Sequence, residues 1–215
     1  MNLLNDESKL STKEKIYHAA LNLFSKKGFD GVSMRNIAKD VGIRVGSIYN
    51  HFDEKRDIFE YIFDKIEDYY KELTPSQDVI IEMFTNPTMD TLQDLTIQAI
   101  KFYLGEPWII KTWKIVFIER FNHPRARSLF IENILEGGIK FQVPLFNKLL
   151  KDELNDKIDI EALARAFHGH NIFLILRYMD ELSDEGTNQR ILKEIQKEGL
   201  AHVNNFSVFF KKTID

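Results

Sequence analysis

The chain has 215 residues, 44% hydrophobic and 29% charged, with a formal net charge of −4; that balance predicts a soluble globular protein with a sizeable core and excludes wholesale disorder. It contains no cysteine, which excludes disulfides, thiolate metal sites and cysteine nucleophiles and fits the reducing cytoplasm, the expected location. The acidic stretch Met1–Leu10 lacks the apolar centre of a secretory signal, and no apolar run approaches the roughly 18 residues of a membrane span, since Lys111 and Lys114 interrupt Trp108–Ile118.

Helix signals dominate, with no period-2 alternation bounded by turns and no internal repeat, so the expected fold is all-α. Ser11 and Glu14 have the S-x-x-E spacing of a capping box, Ile16, Ala19, Ala20, Leu23 and Phe24 recur on one face, and Gly28 ends this first helix. Ser33 caps a second helix carrying Ile37, Ala38 and Val41 and stopped by Gly42. A third runs from Val45 to Phe52. A fourth runs from Asp53 to Leu73, with Ile58, Phe59, Ile62, Phe63, Ile66 and Tyr69 at helical spacing, and closes before Pro75. Breaks at Asn86-Pro87, Gly105-Glu106-Pro107, His123-Pro124 and Asp180–Thr187 divide the remainder. Between them the expected helices are Ser76–Thr85, Met89–Leu104, Trp108–Asn122, Arg125–Leu154, Ile160–Met179 and Asn188–Lys212. Pro144 is expected to kink or split the fourth of these.

Charge is unevenly placed: Ser8–Arg56 holds ten Lys or Arg against five Asp or Glu, while Asp57–Asp215 holds 19 against 26. A basic head on an acidic body suits a phosphate-binding module joined to a domain that does not touch nucleic acid. Within the head, Ser33–Phe52 reads as two short helices joined by a tight turn at Gly42, where a left-handed backbone is cheap only for glycine. Ile37, Val41, Ile43, Ile48 and Phe52 are spaced to bury one face, and small Ala38 allows a close helix crossing. That leaves Arg35, Arg44, Val45, Ser47, Tyr49, Asn50 and His51 outward or at the edge, a set suited to a major groove.

At these positions the chain resembles the TetR (tetracycline-repressor) family of bacterial regulators. Ser33, Ile37, Ala38, Gly42, Ile43, Gly46, Ser47, Ile48, Tyr49, His51, Phe52 and Lys55 fall on the family's motif, and Gly28-Phe29 matches its usual end to helix one. The resemblance covers about Ser11–Tyr70. It implies a helix-turn-helix domain at 10–70, with the motif at 33–52, and an effector-binding and dimerisation domain at 75–215. The DNA-facing set it implies is Ser33, Arg35, Arg44, Val45, Gly46, Ser47, Tyr49, Asn50, His51 and Lys55. Of these, Ser33, Tyr49, His51 and Lys55 would hold phosphates, while Arg35, Arg44, Val45, Ser47 and Asn50 would face base edges. Arg44 departs from the family, which usually caps this helix with Ser or Thr; the lost cap costs about 1 kcal/mol.

The body is rich in aromatics, and the resemblance implies a cavity for a small apolar or aromatic effector among its helices. Phe102, Trp108, Trp113, Phe117, Phe141 and His168 are the candidate lining. His168 and His170 lie two apart on a helix and do not share a face, so no metal is expected, nor any cofactor. The last two long helices are apolar around much of their girth and must be buried on more than one side; the resemblance implies that they pair with a second copy. The expected function is a sequence-specific regulator, a repressor released from a palindromic operator by its effector, with double-stranded DNA as partner. Control by a protein partner is the alternative. Enzyme signatures such as G-x-S-x-G, a P-loop or H-E-x-x-H are absent.

Overall fold

The computed structural model describes residues 10–74, 76–150, 159–179, 181–182 and 189–211. Among them every regular element is helical: α1 Thr12–Lys27, α2 Met34–Val41, α3 Val45–Ile48, α4 Lys55–Leu73, α5 Gln77–Met83, α6 Met89–Leu104, α7 Pro107–Glu119, α8 Pro124–Leu129, a π-helical segment Phe130–Leu135, α9 Gly137–Leu149, α10 Ile160–Met179 and α11 Gln189–Lys211. Two compact units emerge. Of the described residues, one comprises those within 10–73 and 111–127, the other those within 74–110 and 128–211. The division departs from a single boundary near residue 75, because the second half of α7 and the start of α8 cluster with the N-terminal helices.

In the first unit, α1 begins at the expected capping box, with Ser11 Oγ accepting from the Glu14 amide and the Glu14 carboxylate accepting from the Ser11 amide at 2.8 Å. Gly28 ends it at φ 68°, its N–H donating to the Phe24 carbonyl. Ile16, Ala20 and Phe24 of α1, Ile37 of α2, Ile48 of α3 and Ile58, Phe59, Ile62, Phe63 and Ile66 of α4 are fully buried together with Trp113 and Val116 of α7. Phe24 and Phe59 meet edge to face at 5.4 Å, and Phe59 and Phe63 at 4.8 Å, the arrangement that aromatic quadrupoles favour.

In the second unit, α11 packs along α6 and α10, and α9 packs along α10 and α5. Its main cluster joins Phe84, Leu92, Leu145, Phe146, Ala164, Phe167 and Val203. The expected helix Arg125–Leu154 is three segments instead. The break falls at the π-helical turn and the Gly137-Gly138 pair, while Pro144 stays inside α9, beside fully buried Leu145 and Phe146. Gly138 is there for contact: a Cβ at this position would lie 2.3 Å from the His168 ring. Most of the expected break at Asp180–Thr187, and residues 151–154, lie outside the described residues. No described helix is long and apolar enough to cross a membrane.

Candidate nucleic-acid interface

The helix-turn-helix is assembled by caps at each end of α2. Ser33 Oγ accepts from the Asn36 amide at 3.2 Å, and Asn36 Oδ1 accepts from the Ser33 amide at 2.8 Å. At the other end Gly42 is left-handed, φ 76° and ψ 29°, and the Ile43 and Gly42 amides donate back to the Ala38 and Lys39 carbonyls, a Schellman turn that aims the chain into α3. Ile37, Ala38, Ile48 and Phe52 are buried beneath. Above them Arg35, Arg44, Gly46, Asn50 and His51 are exposed, Tyr49 stands 52% exposed, and Val45 and Ser47 are half-buried. These eight of the ten expected contact positions are thus exposed or half-buried.

Two of the ten are engaged elsewhere. The Ser33 hydroxyl donates its one proton to Asn36 Oδ1 at 2.6 Å, so it serves as the cap of α2 rather than as an outward donor. The Lys55 ammonium is turned inward and donates to the Phe29 and Val32 carbonyls at 2.7 and 2.8 Å, with the Phe29 ring 4.0 Å away. The recognition helix is also shorter than expected. It stops at Ile48, and Tyr49–His51 form a turn closed by the Phe52 amide on the Ile48 carbonyl at 3.0 Å. Arg44 occupies the cap position of α3 without a side-chain cap bond, as its departure from the motif predicts. Its guanidinium is free of that duty and exposed.

The remaining chemistry of this unit was not visible in the sequence. Arg125 reaches α4 with four charge-assisted bonds, to Glu60 at 3.0 Å, Asp64 at 2.7 Å and twice to Glu67 at 3.0 and 2.7 Å. The Phe29 amide donates to Glu119 Oε1 at 2.7 Å, and Lys111 Nζ reaches Asn22 Oδ1 at 3.1 Å.

A family model described as "Bacterial regulatory proteins, tetR family" matches residues 16–62. The chain is 43% identical over 142 residues to the biofilm operon icaADBC HTH-type negative transcriptional regulator IcaR of Staphylococcus aureus strain Newman, covering 66% of this chain and 67% of that protein. The chain belongs to the TetR family. IcaR of Staphylococcus epidermidis is 38% identical over 153 residues, 71% of this chain and 72% of the relative. The same fold appears in a TerR/AcrR-family transcriptional regulator of Aquifex aeolicus VF5, with a TM-score of 0.57, 23% identity and coverage of 89% of this chain and 98% of that one. The chain is thus a DNA-binding transcriptional regulator of the TetR family and not an enzyme.

The six expected effector residues do not share one unit. Trp113 lies in the first unit, fully buried, stacked on Tyr70 at 5.7 Å with its indole N–H donating to the Tyr70 hydroxyl at 2.8 Å. Half-buried Phe117 belongs to that unit too. Apolar spacing on α7 shows that its side chains are buried, but not against which helices. Phe102, Trp108, Phe141 and His168 lie in the second unit. Phe102 meets Tyr103 edge to face at 5.2 Å, and Phe141 packs on the main cluster. His168 Nε2 sits 2.7 Å from the Ile134 carbonyl, which can only accept, so that nitrogen carries the proton. Burial pushes its pKa down, consistent with a neutral ring.

Proposed function

We propose that the chain is a negative regulator that binds a near-palindromic operator as a two-fold dimer and is released by a small apolar or aromatic effector. The outward set on α2 and α3 carries this reading: Arg35, Arg44, Tyr49, Asn50 and His51 stand exposed over a buried, capped helix-turn-helix. A guanidinium and an amide there match the donors that read guanine and adenine edges. Tyr49 and His51 fit backbone contacts that fix register.

Dimerisation is supported by the outer faces of α10 and α11. Phe173, Leu176 and Val208 are 52%, 47% and 49% exposed, and small Ala162, Ala166, Gly169 and Ala201 are exposed on the same two helices. Apolar surface of this kind asks for cover, and a second copy would set two recognition helices about 34–36 Å apart. The effector reading rests on Phe102, Trp108, Phe141 and His168 in the second unit, which this reading takes as the effector-binding and dimerisation domain. Release would follow if the effector favours a conformation with wrongly spaced recognition helices, by no more than its differential affinity for the two states. The staphylococcal relatives are named for a biofilm operon, and an operon of that kind is the proposed target.

One experiment tests the core of this. Duplexes selected from a randomised library with the intact protein should show a two-fold-related consensus and bind two chains each, measured by light scattering. Arg44→Ala should then relax preference at particular base pairs by about 1–3 kcal/mol. An unchanged consensus removes Arg44 from base reading, and an asymmetric site bound by one chain overturns the dimer.

A further inference from the structure

We propose that Glu119 and Lys55 are positioning residues that grip the loop between α1 and α2 with opposite charges and so set how the helix-turn-helix is presented to DNA. The grip closes on one residue. Phe29 gives its amide to Glu119 Oε1 at 2.7 Å and its carbonyl to Lys55 Nζ at 2.7 Å. An anion holds the donor end and a cation the acceptor end, which is the polarity that strengthens both bonds. The second carbonyl on Lys55, Val32 at 2.8 Å, belongs to a buried residue immediately before Ser33, the cap of α2. The loop is seated tightly against α7: at Gly28, where φ is 68°, a Cβ would meet Glu119 Oε1 at 3.0 Å and Ile118 Cγ2 at 3.3 Å. Glu119 is the last residue of α7 and Lys55 the first of α4. The two grips therefore tie the entry of α2 to two helices that follow it in sequence, α4 and α7.

Lys55 is poorly placed for a phosphate. Two of its three N–H groups are spent on carbonyls and the Phe29 ring lies 4.0 Å from the ammonium. Turning the side chain outward would strip both carbonyls of the charged donor, and a lost charge-assisted bond costs more than an ordinary one. A cation at the first turn of α4 also opposes the helix dipole, a penalty the carbonyls offset.

This rests on the chain's binding DNA through α2 and α3, and the test separates the two. Operator affinity is measured against salt, using a duplex selected with the intact protein and a random-sequence duplex. Lys55→Met and Glu119→Ala should each weaken the selected duplex about tenfold and lower the ratio of selected to random binding. Glu119→Gln and Lys55→Gln, which keep an acceptor for the Phe29 amide and donors for the carbonyls but no charge, should fall between the parent and those variants, at about threefold below the parent. The salt slope should not change in any variant. A slope reduced by about 0.9 per lost contact in Lys55→Gln makes Lys55 a phosphate ligand and overturns its assignment. If Glu119→Gln falls as far as Glu119→Ala, the bond to Phe29 is not what positions the loop. A merely structural role would lower the melting temperature and the active fraction while leaving the selected-to-random ratio intact, and that result too overturns the proposal. Loss of all selected binding in the parent would instead remove the function on which the inference stands.

Discussion

The two units use their polar groups differently. In the first, charged groups fasten helices and a loop, Arg125 on three carboxylates of α4 and Lys55 and Glu119 on the loop, while interlocking rings, with Trp113 bonded to Tyr70, fill the interior beside buried Ser25 and Thr112. In the second, polar groups are inside. Gln142 and His168 are only 9% and 4% exposed, and His170 and His202 stack at 4.0 Å between α10 and α11. Gln142 Oε1, His168 Nδ1, His170 Nε2 and His202 Nε2 are buried and make no hydrogen bond within the protein. Buried groups of this kind lower stability. The contrast is between a unit whose charges hold a loop and helix in one geometry, as presenting a recognition helix requires, and a unit with several unpaired polar atoms buried in it.

The largest expected effect tests the first half of that contrast. Trp113→Ala removes a fully buried indole and should cost about 3–5 kcal/mol in urea unfolding, whereas Trp113→Phe keeps a ring and loses mainly the bond to Tyr70, about 1–2 kcal/mol. A cost below about 1 kcal/mol for the alanine variant would show that this core is not close-packed around Trp113. Next comes Gly138→Ala in the second unit. The added methyl lies 2.3 Å from the His168 ring, so the ring must leave the Ile134 carbonyl or α9 must shift, at about 1–3 kcal/mol. Little change in the melting temperature would mean that α9 yields easily.

These two positions also show what the sequence carried and where it stopped. Local signals placed Ser11, Ser33, Gly28 and Gly42 at helix ends, and α6 and α10 run over the expected residues, because caps and apolar periods are written in neighbouring side chains. The outward set on α2 and α3 followed from the same periodicity plus a motif. The partners of Trp113 and Lys55 were not legible for a shared reason: Tyr70 and the Phe29 carbonyl are brought to them only by how the backbone folds. Spacing along one helix marks a side chain as buried or polar but says nothing about what stands opposite it. Gly138 is the clearest case: nothing in the sequence announces that a histidine 30 residues later needs its missing side chain.

Acid is the third way to break the comparison. Burial holds His168, His170 and His202 below the ordinary imidazole value, and with His170 beside it His202 falls to about 4 from 6.5. The unfolded chain takes up these protons near pH 6.5 and the folded chain not until near pH 4 for His202. Stability is therefore complete above about pH 6.5 and is lost as the pH falls through that interval. Because His202 is partly solvated, the loss from this residue should be on the order of 1–2 kcal/mol rather than the full value of the shift. His202→Gln should flatten the melting temperature between pH 7 and pH 4, and an unchanged slope would place the acid sensitivity outside the second unit's histidines.

The smallest effect falls back on the first unit. Ser33→Ala removes both the acceptor for the Asn36 amide and the donor to Asn36 Oδ1, and a lost N-cap of this kind costs about 1 kcal/mol. If Ser33 acts only as a cap, the loss appears in unfolding, and operator binding by the folded fraction keeps its salt dependence. If its hydroxyl instead turns to a phosphate when DNA arrives, affinity falls by more than the stability change explains, since a donor that meets only the complex contributes nothing to the free fold. Asn36→Ala separates the cases, because it removes the partner while leaving the Ser33 hydroxyl in place. A cap pair loses stability from either side, so the two single losses should not add in the double variant. A phosphate donor freed from Asn36 would bind DNA at least as well as before. The outcome decides whether the entry to α2 is rigid before DNA is met or is completed by it.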